Sequence, residues 1–209
     1  SCPKRALCFN MKFLIGTKQE MTQVFDEKGV VHPGTIISLF PSQVTQIKTT
    51  ETDGYSAVQI GYGVQKESRT NRAQKSKGLF QGFVEFPVAD TSQFTFGTAI
   101  DPNNFVVGDR ITVSAVSKAK GFQGVVKRHG FHGGFRTHGQ KHSEREPGSI
   151  GVGGVQRVPK GRRMAGRMGG ERVTVKNLRV LQIDPTAGIL VVSGADPGRR
   201  GTVVEIVGS

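Results

Sequence analysis

One stretch of this chain, residues 118–172, strongly limits what the protein can fold into. It contains thirteen Lys and Arg residues, three Glu residues and fourteen of the chain's 29 Gly residues, so its net charge is +10. Its apolar side chains follow neither the helical period nor the strand period. Glycine and like charges together bury too little surface to offset the backbone entropy lost on ordering, roughly 1–2 kcal/mol per residue. We therefore expect this stretch, called the arm below, to form no core of its own.

A second, shorter stretch holds most of the remaining excess positive charge. Residues 66–77, called the basic segment below, read KESRTNRAQKSK and carry a net charge of +4. The rest of the chain is close to neutral, although the whole chain has a net charge of +13. A charge of this size predicts a polyanionic partner, either nucleic acid or an anionic membrane surface. The sequence has neither an amphipathic basic helix nor a long apolar run, so we expect nucleic acid and no membrane.

The sequence on both sides of the arm predicts short β-strands. DRITVSAVSK and YSAVQIGYG alternate apolar and polar residues, which is typical of half-buried strands. RVTVKNLRVLQI begins with the same alternation and changes phase near Lys176–Asn177, which predicts a β-bulge. GILVVSG and GTVVEIVG predict two further strands. Short strands with turns between them favour a small barrel or a sandwich.

The candidate catalytic and metal-binding residues form no recognisable site. Cys2 and Cys8 make neither a disulfide framework nor a complete zinc site, and no P-loop motif is present. The arm also contains four histidines, whose irregular spacing and cationic surroundings favour RNA contacts over metal binding. They are His129, His132, His138 and His142. We expect no enzyme activity, no cofactor, no metal and no small-molecule substrate.

Several motifs are similar to those of one known family. In chain order they are GTKQEMTQVF, DGYSAVQIGY, SKAKGFQGVVKRHGF, THG, PGSIG, KGRRMAGRMGGERVTVKNL and LVVSGADPG. Together they resemble the bacterial-type members of the universal family of large-subunit ribosomal protein three, from Met11 to about Val207. The block from Ser117 to Asn177 is the longest and most specific part of the resemblance.

The resemblance implies a mainly β fold with a long basic loop inserted into a small closed six-stranded β-barrel of the translation-protein type. Residues 11–117 and 173–209 would form the barrel, the arm would extend through ribosomal RNA, and residues 1–10 would be a tail before the usual family start. The family's role implies a structural constituent of the large ribosomal subunit. Such a protein binds 23S-type rRNA and neighbouring ribosomal proteins, supports early subunit assembly and organises RNA near the peptidyl-transferase centre. The expected location is a cytoplasmic ribosome, bacterial rather than organellar.

The candidate RNA-binding residues are the basic and histidine side chains of the two charged stretches, because Arg and Lys neutralise phosphates and His can bond or stack. In the arm they are Lys118, Lys120, Lys127, Arg128, His129, Arg136, His138, Lys141, His142, Arg145, Arg157, Lys160, Arg162, Arg163, Arg167 and Arg172. In the basic segment they are Lys66, Arg69, Arg72, Lys75 and Lys77. The tip of the arm, expected near the peptidyl-transferase centre, comprises Gly148, Ser149, Ile150, Gly151 and Val152.

Two alternative functions remain open from the residues alone. A free-standing RNA chaperone or nucleic-acid-binding protein would also carry concentrated positive charge. An RNA-modifying enzyme built on a barrel would need a cofactor pocket or a catalytic set of residues, and the sequence contains no motif for either.

Overall fold

The computed structural model describes residues 12–208, so the expected tail, residues 1–10, lies outside the described residues. Strands dominate this range. They are β1 (Phe13–Phe25), β2 (Val31–Leu39), β3 (Ser42–Lys48), β4 (Ala57–Val64), β5 (Phe80–Pro87), β6 (Arg110–Val116), β7 (Phe122–Gln123), β8 (Gly166–Arg167), β9 (Arg172–Asp184), β10 (Ile189–Ser193) and β11 (Val203–Gly208). Two short helices are α1 (Arg72–Lys75) and α2 (Val125–His129), and 3-10 turns occupy Glu67–Arg69, Pro102–Asn104 and Gly153–Val155.

Six of the strands form the main sheet, in the order β1-β11-β6-β9-β10-β2. Every neighbouring pair is antiparallel, and β2 also pairs with β1, so the ladder of strands closes on itself as a barrel. Closure leaves no strand of this sheet with an unpaired edge. The prediction of a mainly β chain with a six-stranded sheet is confirmed.

The bulge predicted near Lys176–Asn177 is confirmed. Val175 pairs with Val113 and Leu178 pairs with Ile111, so two residues of β9 face the single residue between them on β6. Asn177 has a φ of 62°, in the left-handed region that asparagine tolerates better than most residues. The bulge explains why the alternation of β9 changes phase at this point.

A separate three-stranded sheet, with the order β3-β4-β5, was not predicted. The alternating stretch YSAVQIGYG does form a strand, β4, but its partners are β3 and β5 and not strands of the barrel. The basic segment lies between β4 and β5 in the chain. A period of two shows that one face of a strand is buried, but it does not identify the sheet that the strand joins.

Two apolar clusters form the core around the two sheets. The first is built from barrel residues such as Ile37, Ile111 and Leu190, and the second joins Phe13 and Ile15 of β1 to residues of the three-stranded sheet. Leu14 belongs to the first cluster, so successive side chains of β1 enter opposite cores. This placement explains the uninterrupted apolar run at the start of β1, because both of its faces are covered.

The chain divides into two compact units. One consists of the residues up to Val116 together with those from Arg172, and the other is Ser117–Glu171. All members of the two apolar clusters belong to the first unit. None of the helices found in residues 12–208 has the length and apolar character needed to span a membrane.

Asp196 is a buried acid in the turn between β10 and β11. Its side chain is 5% exposed, and neither carboxylate oxygen has a hydrogen-bond partner among the described residues. The ammonium group of Lys18 donates to the carbonyl oxygens of Asp196, at 2.5 Å, and of Gly198, at 3.4 Å. Burial raises the pKa of Asp196 to about 6, and the charge of Lys18 opposes this rise only in part.

We predict that Asp196→Asn stabilises the protein at neutral pH. Because the folded-state pKa is raised, the stabilisation from the protonated acid is complete below about pH 4 and is lost as the pH rises through about 6. The parent should therefore lose roughly 1–3 kcal/mol between pH 4 and pH 7 that the variant keeps. Urea unfolding followed by circular dichroism at several pH values measures the difference.

Glu51→Gln is the control, because the side chain of Glu51 is exposed. This variant should follow the parent across the pH range. If Asp196→Asn also followed the parent at every pH, the buried charge would carry no free-energy cost and this interpretation would be wrong.

Candidate RNA interface

The two ends of the arm are held together by backbone hydrogen bonds. The amide of Ser117 donates to the carbonyl of Glu171 at 2.8 Å, and the amide of Lys120 donates to the carbonyl of Met168 at 2.9 Å. The short strands β7 and β8 continue this antiparallel pairing. Gly169 has a φ of 73°, and a Cβ there would lie 2.1 Å from the carbonyl oxygen of Lys118. The close approach of the two limbs therefore requires glycine at this position.

Beyond this base, the arm buries almost nothing. Of residues 118–172, all of which belong to the described part of the chain, only Val125 is buried, with 3% of its side chain exposed. Val125 is the first residue of α2. The residue that caps the C-terminus of this helix, Gly130, has the left-handed conformation with a φ of 72°. Three other apolar side chains stay exposed at or near the tip: Ile150 (38%), Val152 (74%) and Val155 (52%). The arm thus presents nearly all of its side chains to its surroundings.

Some of the predicted RNA-binding residues bind the arm's own backbone. Arg128 donates from Nη1 to the carbonyl oxygen of Met164 at 2.7 Å, and Nε2 of His129 lies 3.0 Å from the same oxygen. Arg162 donates from Nη2 to the carbonyl oxygen of Ser149 at 2.5 Å. These bonds connect the outgoing limb of the arm with the returning limb. At least part of the hydrogen-bonding capacity of these side chains is therefore used to position the arm.

Two other predicted residues form ion pairs. Nε of Arg136 lies 2.5 Å from Oε1 of Glu144; the side chain of Arg136 is largely exposed and that of Glu144 is partly exposed. Arg172, expected at the end of the arm, instead begins β9, where it pairs with Val116 and donates from both Nη atoms to the carboxylate of Glu205. The start of β9 at Arg172 therefore agrees with the strand that the stretch RVTVKNLRVLQI predicted.

The larger part of the predicted set has no side-chain partner within residues 12–208. Eleven of the sixteen arm residues are exposed and make no side-chain hydrogen bond or ion pair with any described residue. They are Lys118, Lys120, Lys127, His138, Lys141, His142, Arg145, Arg157, Lys160, Arg163 and Arg167. With little opposing charge nearby, this set gives the arm an excess of unneutralised positive charge. Such a surface favours binding of phosphate groups.

The basic segment shows the same division between free and bound cations. Lys66, Arg69 and Arg72 are exposed and have no side-chain partner among the described residues. Lys75 lies 3.0 Å from Glu67, whereas Lys77 donates to side-chain oxygens of Gln46 and Gln59 in the neighbouring sheet. Lys77 thus helps to attach the segment to the sheet.

The predicted set lacks several polar side chains that line a cleft within the arm, such as Gln140, Ser143 and Glu146. The residues that line this cleft come from two stretches, 129–134 and 140–148, together with Arg163. Neutral polar residues such as Gln140 and Ser143 carry no charge signal, so composition alone does not identify them. The one available signal was the Gly133–Gly134 pair, which marks a close backbone approach. Within residues 12–208, no group of three or more His, Cys, Asp or Glu side chains is arranged to hold a metal ion.

Comparison with known proteins identifies the family. Residues 64–197 match the family described as Ribosomal protein L3. The chain is 44% identical over 200 residues to the large ribosomal subunit protein uL3 of Prochlorococcus marinus (strain MIT 9312), with 92% of each chain covered. It is 44% identical over 202 residues to the uL3 protein of Clavibacter sepedonicus, also with 92% of each chain covered. These matches span the barrel and the arm, and the chain belongs to the uL3 family of ribosomal proteins.

Proposed function

We propose that this protein is a structural constituent of the large ribosomal subunit and binds 23S-type rRNA through the arm and the basic segment. The observation that carries the proposal is the set of eleven exposed and unpartnered basic and histidine side chains on an arm with one buried residue. Like charges at this density repel one another, and rRNA phosphates would neutralise them. Family membership supports the same partner, because the relatives named above are large-subunit proteins.

The arm would recognise folded RNA mainly by charge and shape. Arginine forks bind phosphate oxygens with two hydrogen bonds, and lysine supplies a mobile point charge. Glycine-rich backbone lets amide groups approach phosphates closely. Contacts of these kinds position a protein on RNA without reading much sequence.

The proposal includes the roles that the family resemblance implies. The barrel would be of the translation-protein type, and the protein would support early subunit assembly beside neighbouring ribosomal proteins. The tip, Gly148–Val152, would organise RNA near the peptidyl-transferase centre and influence peptide-bond formation only indirectly. The relatives named above are bacterial, which supports a cytoplasmic bacterial ribosome as the location.

No step of this function requires the protein to be an enzyme. The uL3 family is a structural component of the ribosome. The charged side chains of the arm would act by binding and positioning RNA, and the RNA would remain chemically unchanged.

We predict that replacing residues 121–167 by a short Gly-Ser linker abolishes incorporation into the large subunit while the barrel still folds. The limbs are close at Ser117 and Glu171, so a short linker can join them, and both apolar clusters lie outside the arm. Circular dichroism tests folding of the variant. Sucrose-gradient sedimentation at high salt tests whether it accompanies the subunit in stoichiometric amount.

The parent protein serves as the reference in the same gradient. Parent protein that sediments away from the subunit would contradict the proposal and favour a free-standing RNA chaperone. Stoichiometric incorporation of the linker variant would show that the arm is not the main RNA-binding element.

We also predict that Arg157→Ala combined with Lys160→Ala lowers the salt concentration at which the protein dissociates from large-subunit rRNA. Both side chains are exposed and unpartnered. For each phosphate that the variant no longer neutralises, the slope of log affinity against log salt should decrease by about 0.7–0.9. Filter binding to an rRNA fragment across a salt series measures this slope.

The matched control is Lys28→Ala combined with Arg199→Ala. It removes the same two charges from exposed positions in the first unit, outside both basic stretches. An equal decrease in slope for both double variants would mean that net charge, and not the position of the arm cations, determines binding.

A further inference from the structure

The arm contains a cleft that its proposed phosphate contacts do not explain. The cleft has a volume of about 570 Å³ and lies between residues 129–134, residues 140–148 and Arg163. Its volume falls within the range of roughly 300–1,000 Å³ that is typical of ligand pockets. A surface that only follows an RNA backbone needs no concavity of this size.

Two neighbouring aromatic rings, those of His129 and Phe131, line the cleft. The ring centroids of His129 and Phe131 are 5.9 Å apart, with an angle of 42° between the ring planes. The hydrogen-bond contact between Nε2 of His129 and the carbonyl oxygen of Met164 restrains the imidazole ring. At this tilt the two rings do not stack face to face, and Phe131 is only half-buried, so part of this residue stays accessible. An exposed aromatic face stacks well on an unpaired base.

The cleft is also lined by polar side chains that have no partner among the described residues. The side chains of Gln140, Ser143 and Glu146 make no hydrogen bond with any described residue. Together they offer an amide, a hydroxyl and a carboxylate, which can donate to or accept from the edge of a base. The guanidinium group of Arg163 is also unpartnered and supplies a cation at the same cleft.

A backbone contact joins the two stretches that line the cleft. The amide of Gly134 donates to the carbonyl oxygen of Glu144 at 2.9 Å. Gly133 has a φ of 77°, and a Cβ at this position would lie 2.1 Å from the same oxygen. Only glycine permits this approach, so the local sequence sets the separation of the two stretches at this point.

The mixture of charges selects among possible occupants. A lone phosphate group would be attracted by Arg163 but repelled by Glu146. A nucleotide suits both Arg163 and Glu146. Its anionic phosphate attracts the guanidinium group, and the exocyclic amine of an adenine, cytosine or guanine base donates to a carboxylate or an amide oxygen. The aromatic face then takes the plane of the base.

We propose that this cleft binds one rRNA nucleotide whose base is unstacked from its neighbours, with the base against Phe131 and the phosphate beside Arg163. This inference rests on the proposed function, since it assumes that the arm lies within rRNA. The arm would then bind RNA in two ways. Most of its surface would bind phosphates, and the cleft would recognise the shape and edge of a single base.

Chemical probing of large subunits assembled with Phe131→Ala tests the proposal. Reagents specific for the Watson–Crick edges of the four bases should report a several-fold gain in reactivity at one nucleotide, because the base loses its stacking partner. Phe135→Ala is the matched control, since Phe135 is 85% exposed and does not line the cleft. This control should leave the reactivity of that nucleotide unchanged.

Arg163→Ala provides a second variant that does not depend on packing, because Arg163 is exposed. It should expose the same nucleotide, whereas Arg157→Ala, outside the cleft, should not. Subunits that contain stoichiometric variant protein but show no change with Phe131→Ala or Arg163→Ala would overturn the cleft proposal alone. A change in reactivity spread over many nucleotides would also overturn it. Cross-linking from position 131 to a protein segment, and not to RNA, would have the same consequence. Failure of the parent protein to enter the subunit would instead overturn the proposed function.

Discussion

The arm concentrates like charges on a backbone that has no apolar core. Their mutual repulsion is the main physical constraint on its conformation. The arm has a net charge of +10 and a single buried side chain, Val125. Hydrophobic burial of one valine contributes about 1.5–3 kcal/mol, which is far below the entropy cost of ordering a chain of this length. In the proposed function, rRNA phosphates would supply the missing stabilisation, since each phosphate contact would remove repulsion and release counterions.

The first unit supplies what the arm lacks, namely a core and a fixed start and end for the arm. Val116 and Arg172 are paired in the ladder between β6 and β9, so the arm leaves one strand and returns to its neighbour. The bulge at Lys176–Asn177 accommodates the extra residue of β9 within this ladder. Inside the arm, Arg128 and Arg162 join the two limbs through backbone carbonyls. Most of the remaining basic residues stay free for phosphates.

Much of the fold could be predicted from the sequence, because alternation and turn residues act locally. The strand Arg110–Val116 and the bulge at Asn177 are examples, since both depend on the period of apolar residues. Burial of polar residues could not be predicted in this way. Ser114 was expected on the polar face of its strand, yet it is buried and hydrogen bonded to Thr174. Asp196 lies in a predicted turn and is also buried, because packing between distant segments decides exposure.

The charge pattern of the sequence located the candidate interface. It could not show which basic residues bond the arm's own backbone and which stay exposed. Arg162 and Arg163 are adjacent and chemically identical, yet the first bonds the backbone of Ser149 and the second faces the cleft. Only the path of the returning limb separates their roles.

If rRNA maintains the conformation of the arm, as proposed, hydrogen exchange should differ between the free protein and the subunit-bound protein. Arm amides should exchange at nearly unprotected rates in the free protein and become protected in the subunit, while β6 and β9 are protected in both. Arm amides as slow as those of β6 in the RNA-free protein would contradict this proposal.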